Sequence, residues 1–339
     1  MMEQTVRCQT PTNLPVYHYD AAVKAAEAQH EVFWLPTEPK IEKDLHCLKT
    51  ELTEAETHGV MTTLSLFTQY EQIAGNEYWG GRFKEMFPRP EFERLGLTFG
   101  NIELGVHMPF YKRIDELLGL SNEEFYSGFA EDPVLKSRIN FLDSSVNNSD
   151  DLLSIGTFSM VEGAILYSSF AYLMHFQAEG KNKMTNMHSG LTFSAKDENL
   201  HSETGAWAFK LLQKEKLEAG LIDEKYVEDL KRHLVLAADK ILEHETAIIE
   251  RIFEKGSIKG ITAKQLTNFV MHRLDLCLSN LGLDPVYKPS YNPISNWFYK
   301  MVGGDMQHDF FAKLGSAYNR NWQEAGFTWK TYADRGIKV

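Results

Sequence analysis

The sequence predicts an all-α protein, and three observations carry that prediction. The first is proline placement: of eleven prolines, four lie in the first 39 residues and three from Pro285 to Pro293, while none falls between Pro133 and Pro285. Proline removes a helical amide and clashes with the preceding turn, so a long proline-free run rich in Leu, Ala, Glu and Lys reads as successive helices. The second is a set of helix-start signals of capping-box form: Thr53-x-x-Glu56, Ser121-x-x-Glu124 and Thr262-x-x-Gln265. In each, two side chains answer amides left free at a helix N-terminus. The third is that no stretch alternates persistently enough to argue for a half-buried strand.

The elements follow in order. Residues before about 40 read as an extended, proline-bearing arm. Helices are then predicted near 53–86, 90–118, 121–128, 150–178, 184–217, 223–255 and 262–281. Pro90 sits where a first-turn proline opens a helix, and Gly256 and Gly282 are stops. After about 315 the chain becomes a loosely patterned tail. At 339 residues and 43% hydrophobic content, the whole chain, 1–339, reads as one domain around one core.

Composition narrows the function. Against 47 acidic residues stand 35 basic ones, a net charge of -12, with no Lys/Arg stripe, so no nucleic-acid partner is expected. Cys8, Cys47 and Cys277 are far apart and form no CxxC pair, which fits a reducing compartment. The N-terminus lacks a basic segment followed by an apolar run, and a cytoplasmic location is expected. The stretch from Ile155 to Phe176 is apolar enough to raise the membrane question. Glu162 lies at its centre, however, and an unpaired carboxylate is costly in lipid, so it reads as a buried helix of a soluble protein.

The strongest chemical signal is Lys196-Asp197-Glu198-Asn199-Leu200-His201. On a helix Glu198 and His201 share a face, flanked there by the small residues Ser194, Ala195 and Gly205. Alone, Glu-x-x-His is common on solvated helices. Three further places give it company. Glu162 sits among apolar residues in Phe158-Ser-Met-Val-Glu-Gly-Ala-Ile-Leu-Tyr167, where an ionised carboxylate needs compensation. Glu103 and His107 lie among Ile102, Leu104, Val106 and Phe110, and Glu71 lies mid-helix in Leu66-Phe-Thr-Gln-Tyr-Glu-Gln-Ile-Ala74. Each could separately be a carboxylate reaching the surface. Together they make four carboxylates and two histidines from four helices, an oxygen-rich set suited to two iron or manganese ions inside a bundle.

This pattern resembles the metal-binding pattern of class I ribonucleotide reductase small subunits. Phe33-Trp34-Leu-Pro-Thr-Glu-Pro39 resembles that family's N-terminal Trp segment; Asn292-Pro-Ile-Ser-Asn-Trp297 and Asp309-Phe-Phe311 resemble its C-terminal landmarks. The resemblance implies a ferritin-like helical bundle with additional helices, and as ligands Glu71, Glu103, His107, Glu162, Glu198 and His201. It implies that Tyr111, four residues after His107, is the radical tyrosine, with Leu166 and Phe170 in its apolar shell. Trp34 and Asp197 match electron-relay positions. Tyr332 in the tail, with Tyr318 as alternative, matches the tyrosine that hands the radical to the large subunit. The implied function is to activate oxygen at a dimetal centre and pass a radical to the large subunit of a ribonucleoside-diphosphate reductase, the chain acting as a homodimer. The alternative is a ferritin-like dimetal oxidase acting on an organic substrate without a partner.

Two departures from the family pattern matter. Glu103 and His107 are four apart, whereas the family has Glu-x-x-His, and a π-bulge near Gly105 and Pro109 would absorb the extra residue. Glu71 stands where the family more often has Asp, which leaves iron and manganese both open. Elsewhere, Glu243-His244-Glu245 reads as a solvated helix face, His188, His233 and His272 as surface or packing residues, and Trp207 and Phe209 as core.

Overall fold

The computed structural model describes residues 6–123, 125–127 and 132–303. Tyr318, Tyr332 and the expected tail lie outside the described residues. Among those described, the fold is helical and holds no strand, only an isolated bridge between Ile258 and Ile261.

The arm before residue 40 is not simply extended: it contains α1 (Asp20–Glu31), which buries Ala22, Ala25, Ala26 and Gln29. The prolines at either side of it masked a short Ala-rich helix whose small residues let it lie close on the bundle. After α2 (Leu45–Thr50), α3 (Glu54–Gln72) begins at the expected Thr53/Glu56 capping box. It continues through a π-helical segment, Ile73–Arg82, into α4 (Phe83–Met86). Next, α5 (Pro90–Ile102) opens on Pro90, passes through a π-helical turn at Glu103–His107, and resumes as α6 (Met108–Leu118), stopped by Gly119 at φ 75°. The expected Ser121 cap is displaced by one residue, since Asn122 Oδ1 accepts the Phe125 amide at 2.9 Å.

A helix not expected from the sequence, α7 (Pro133–Val146), is capped by Asp132. The apolar stretch expected as one helix is two, α8 (Asp151–Ala164) and α9 (Tyr167–Met174), separated by Ile165 and a left-handed Leu166. It is long and apolar enough to cross a membrane, yet 94% of its most apolar window is buried inside the fold. Every residue of α8 from Ser154 to Ala164 is buried, as befits a helix surrounded by others. The remaining elements are α10 (Thr185–Glu218), α11 (Glu224–Ile252), α12 (Ala263–Asn280) and α13 (Pro293–Val302). The Thr262/Gln265 box forms, and Gly256 and Gly282 adopt φ 119° and 85° after their helices.

The α8–α10 pair forms the most extensive helix contact, with α11 and α12 packed over α8. Trp34, Trp79, Tyr78, Tyr111, Tyr167, Tyr172 and Phe67 are wholly buried in one contiguous core. The reading of Glu243-His244-Glu245 needs correction: Glu243 is exposed, but His244 and Glu245 are buried, and Glu245 pairs with Arg138 at 2.8 Å. A solvated face was expected because the sequence does not reveal a cation from α7.

One buried acid bears on stability. Asp115 lies one turn beyond Tyr111 on α6, and burial pushes its carboxyl up to about 7, with the Tyr126 hydroxyl donating at 3.1 Å and opposing that rise. The native state therefore keeps a proton that the unfolded chain releases above about pH 4, and stability declines as pH rises through about 7. Asp115→Asn is expected to flatten that decline, read as urea midpoints at about pH 5 and about pH 8. Equal slopes for variant and parent would refute it.

Candidate metal centre

The π-helical turn at Glu103–His107 decides the geometry. Its wider winding places residues four apart close to where residues three apart fall on a regular helix, and both Glu103 and His107 are buried on the inward face. His107 Nδ1 lies 2.9 Å from Glu103 Oε2, 3.3 Å from Glu198 Oε1 and 3.8 Å from Glu71 Oε2. Its other nitrogen, Nε2, is 3.1 Å from Asp197 Oδ2. A proton on Nε2, donated to Asp197, leaves the Nδ1 lone pair facing three carboxylates.

His201 is held in the same manner. Its Nε2 is 3.1 Å from Gln29 Oε1, and Nδ1 stands 2.6 Å from Glu103 Oε1 without the alignment of a hydrogen bond. Gln29 in turn donates to Asp197 Oδ1 at 2.9 Å. A single amide from α1 therefore links both imidazoles' outer partners. Glu162 accepts from Trp79 Nε1 at 2.7 Å and from the Tyr70 hydroxyl at 3.1 Å. Gln29, Tyr70 and Trp79 are not marked by the sequence: Gln29 sits among polar neighbours, and Tyr70 and Trp79 read as ordinary core aromatics.

Close backbone approach lets the two π-helical segments meet. A Cβ on Gly75 would lie 2.8 Å from Glu103 Cβ, and one on Gly100 would lie 2.8 Å from the Gly75 carbonyl oxygen. Side chains at either position would push α5 away from the segment that carries Trp79.

Donor atoms converge in two overlapping groups, Glu71/Glu103/His107/Glu198 and Glu103/Glu162/Glu198/His201, each with its atoms within 4.8 Å of one another. Glu103 and Glu198 belong to both and so could bridge. Among the described residues, both oxygens of Glu71 and of Glu198, Glu103 Oε1 and His201 Nδ1 are buried without a hydrogen-bond partner. Burial raises the carboxyls of Glu71 and Glu162 well above the usual range and that of Glu198 to about 7, with neighbouring carboxylates adding to the rise. Burial acts on Glu103 too, but His107 and His201 hold it well below. Four carboxylates in a dry box cannot all ionise without added positive charge, and the orphaned oxygens have no other use. Oxygen-rich donors with one imidazole at each end fit two iron or manganese ions.

Tyr111 is fully buried, its ring stacked on Phe67 at 4.2 Å and 5.2 Å from Phe110. Among the described residues its hydroxyl makes no well-aligned hydrogen bond, and burial, with Glu71 adding and His107 and Ser194 opposing, holds the phenol well above its usual pKa. Phe170 reaches this casing through Phe67 at 5.4 Å, from a helix separated from that of Glu162 by the break at Leu166. Trp34 donates from Nε1 to Asp197 Oδ2 at 2.8 Å, so one carboxylate oxygen joins the indole to His107. Trp207, half-buried and stacked on Phe92 at 5.7 Å, and buried Phe209 pack as core.

Comparison with known proteins agrees with this arrangement. The chain is 26% identical over 309 residues to the ribonucleoside-diphosphate reductase subunit beta of Chlamydia pneumoniae, covering 85% of this chain and 86% of that one. Among solved structures, a dimanganese(II)-NrdF from Streptococcus sanguinis aligns with a TM-score of 0.71 at 20% identity, over 84% of this chain and 97% of the other. A ribonucleotide reductase subunit from Clostridium botulinum aligns with a TM-score of 0.73 at 18% identity, over 86% and 92%. These likenesses establish the ferritin-like helical fold. The profile of the family described as ribonucleotide reductase, small chain, matches residues 12–293, and the chain that carries this buried carboxylate–histidine box belongs to that family.

Proposed function

We propose that Glu71, Glu103, His107, Glu162, Glu198 and His201 hold the two metal ions of a radical-generating ribonucleotide reductase subunit, and that Tyr111 holds the radical. The observation that carries the reading is the pair of four-donor groups sharing Glu103 and Glu198, set beside a buried tyrosine whose hydroxyl makes no well-aligned hydrogen bond among the described residues. When bound, the metal pair supplies the oxidising equivalents drawn from dioxygen, or from an activated oxygen species with manganese. The protein's own part is to position and to insulate. Phe67, Phe110 and Phe170 keep polar quenchers from Tyr111. Asp197 holds the proton on His107 Nε2 and on Trp34 Nε1, keeping both rings oriented along one hydrogen-bonded route away from the metal site. A self-contained oxidase has no need of that route, which argues against the oxidase alternative.

The family implies a large-subunit partner. We further propose that the chain is a cytoplasmic homodimer with no nucleic-acid or membrane role. In this reading it is one domain whose tail, about 315–339, contacts the large subunit and relays the radical through Tyr332. The test loads the chain with iron or manganese in air, counts metal, records low-temperature electron paramagnetic resonance, and adds a ribonucleotide reductase large subunit. About two ions per chain, an organic or high-valent signal and deoxyribonucleotide product are expected, and the signal names the metal. Failure to bind either metal under any loading would overturn the proposal.

A further inference from the structure

We infer that Glu245 and Arg273 are positioning residues that hold open a break in the Glu162 helix, and that this break sets how Glu162 reaches its metal position. The inference rests on the proposed reading of Glu162 as a ligand. The chain leaves helical geometry at Ile165 (ψ 141°) and passes through Leu166 at φ 72°, a left-handed conformation unfavourable for any residue with a β-carbon. No proline or glycine occupies the break itself. Something outside the segment must therefore hold it.

In an unbroken helix the amides of Leu166 and Ser168 would bond to the carbonyls of Glu162 and Ala164, and the Gly163 carbonyl would receive the Tyr167 amide. The break frees these groups inside a dry core, where each needs a partner. Glu245, wholly buried on α11, takes the amides: Oε1 accepts from Leu166 N–H at 3.4 Å, and Oε2 from Ser168 N–H at 3.2 Å. Arg138 Nη1, at 2.8 Å from Oε1, balances its charge. On the other side Arg273, buried on α12, donates from Nε to the freed Gly163 carbonyl at 2.8 Å. Its Nη2 donates to Asn199 Oδ1 at 3.3 Å, and the guanidinium lies 4.0 Å from the centroid of the Tyr167 ring.

Arg273 thus ties the neighbour of Glu162 to the neighbour of Glu198. The helices carrying Cys277 and Ser202, the first of them also carrying Arg273, close on this segment because Gly163 has no side chain; a Cβ there would lie 2.4 Å from both Cys277 Sγ and Ser202 Oγ. A straight helix would need neither buried charge. With the break, the same segment can aim Glu162 at the metals and, on a different screw, Phe170 at the Phe67 ring beside Tyr111.

The experiment is a manganese(II) titration of the full chain, followed by binding isotherms and electron paramagnetic resonance, for the wild type, Glu245→Gln and Arg273→Lys. Glu245→Gln puts an amide NH2 where only donors converge, and Arg273→Lys keeps the charge but loses the fork. In both, the group containing Glu162 should weaken by roughly 10-fold or more and the Glu71 group by less, since Arg273 reaches that group only through Asn199 beside the shared Glu198, and the exchange-coupled two-manganese signal should give way to that of isolated ions. Equal weakening of both groups, or no change in affinity and spectrum, would overturn the inference. Hydrogen exchange on the wild-type chain covers variants that fail to fold: slow exchange at Leu166 and Ser168 supports the held break, and rapid exchange at both refutes it. A wild type that binds no manganese but exchanges slowly there would sink the ligand reading and leave the held break standing.

Discussion

Glu198→Ala is expected to strip the chain of both metal ions, lowering content from about two per chain to a small fraction of one at micromolar metal. The reason is its shared position. Glu198 is one of two carboxylates common to both donor groups, and both its oxygens are buried with no other hydrogen-bond partner. Losing it removes a donor from each site and one of the two shared carboxylates, so affinity should fall by about 100-fold or more at both. Stability gives a second reading. A ligand that binds only the native state at about 100 times its Kd stabilises it by about 2.7 kcal/mol, so added manganese should raise the thermal midpoint of the wild type and leave the variant's unmoved. A variant that keeps two ions and the midpoint shift would remove Glu198 from the centre.

Tyr111→Phe should do the converse: it should keep the metals and the fold and lose the radical. Among the described residues the hydroxyl makes no well-aligned hydrogen bond, and the ring's contacts with Phe67 and Phe110 survive the substitution, so stability should change by less than about 1 kcal/mol. Phenylalanine has no phenol to oxidise. The tyrosyl signal should therefore vanish and deoxyribonucleotide formation with the large subunit should fall by at least about 100-fold. Retained turnover with unchanged metal content would move the stored oxidising equivalent from Tyr111 to the metals themselves.

The six candidate ligands were legible because each is a local contradiction: a carboxylate or imidazole amid apolar neighbours on a helix cannot be buried cheaply unless compensated. Helix starts at Thr53, Pro90 and Thr262 were legible for the same reason, since a capping side chain and its amide lie within three residues. Even the π-helical turn followed once the spacing of Glu103 and His107 was set against the Glu-x-x-His of the family the sequence resembles.

Partners supplied from far along the chain were not legible. Gln29 meets Asp197 and His201 from 168 and 172 residues away, and Trp79 meets Glu162 from 83. Helix α1 was hidden by the prolines around it, and the ten-residue π-helical run before α4 has no marker in its composition.

By itself, then, the sequence determined the helical class and the residues whose charge demands a counter-ion, because propensity, capping and burial patterns act over a few residues. Only the tertiary structure decided which atoms face the metals, which groups orient them, and where the Glu162 helix breaks. Those outcomes depend on side chains such as Gln29, Glu245 and Arg273, whose role exists only once distant helices pack.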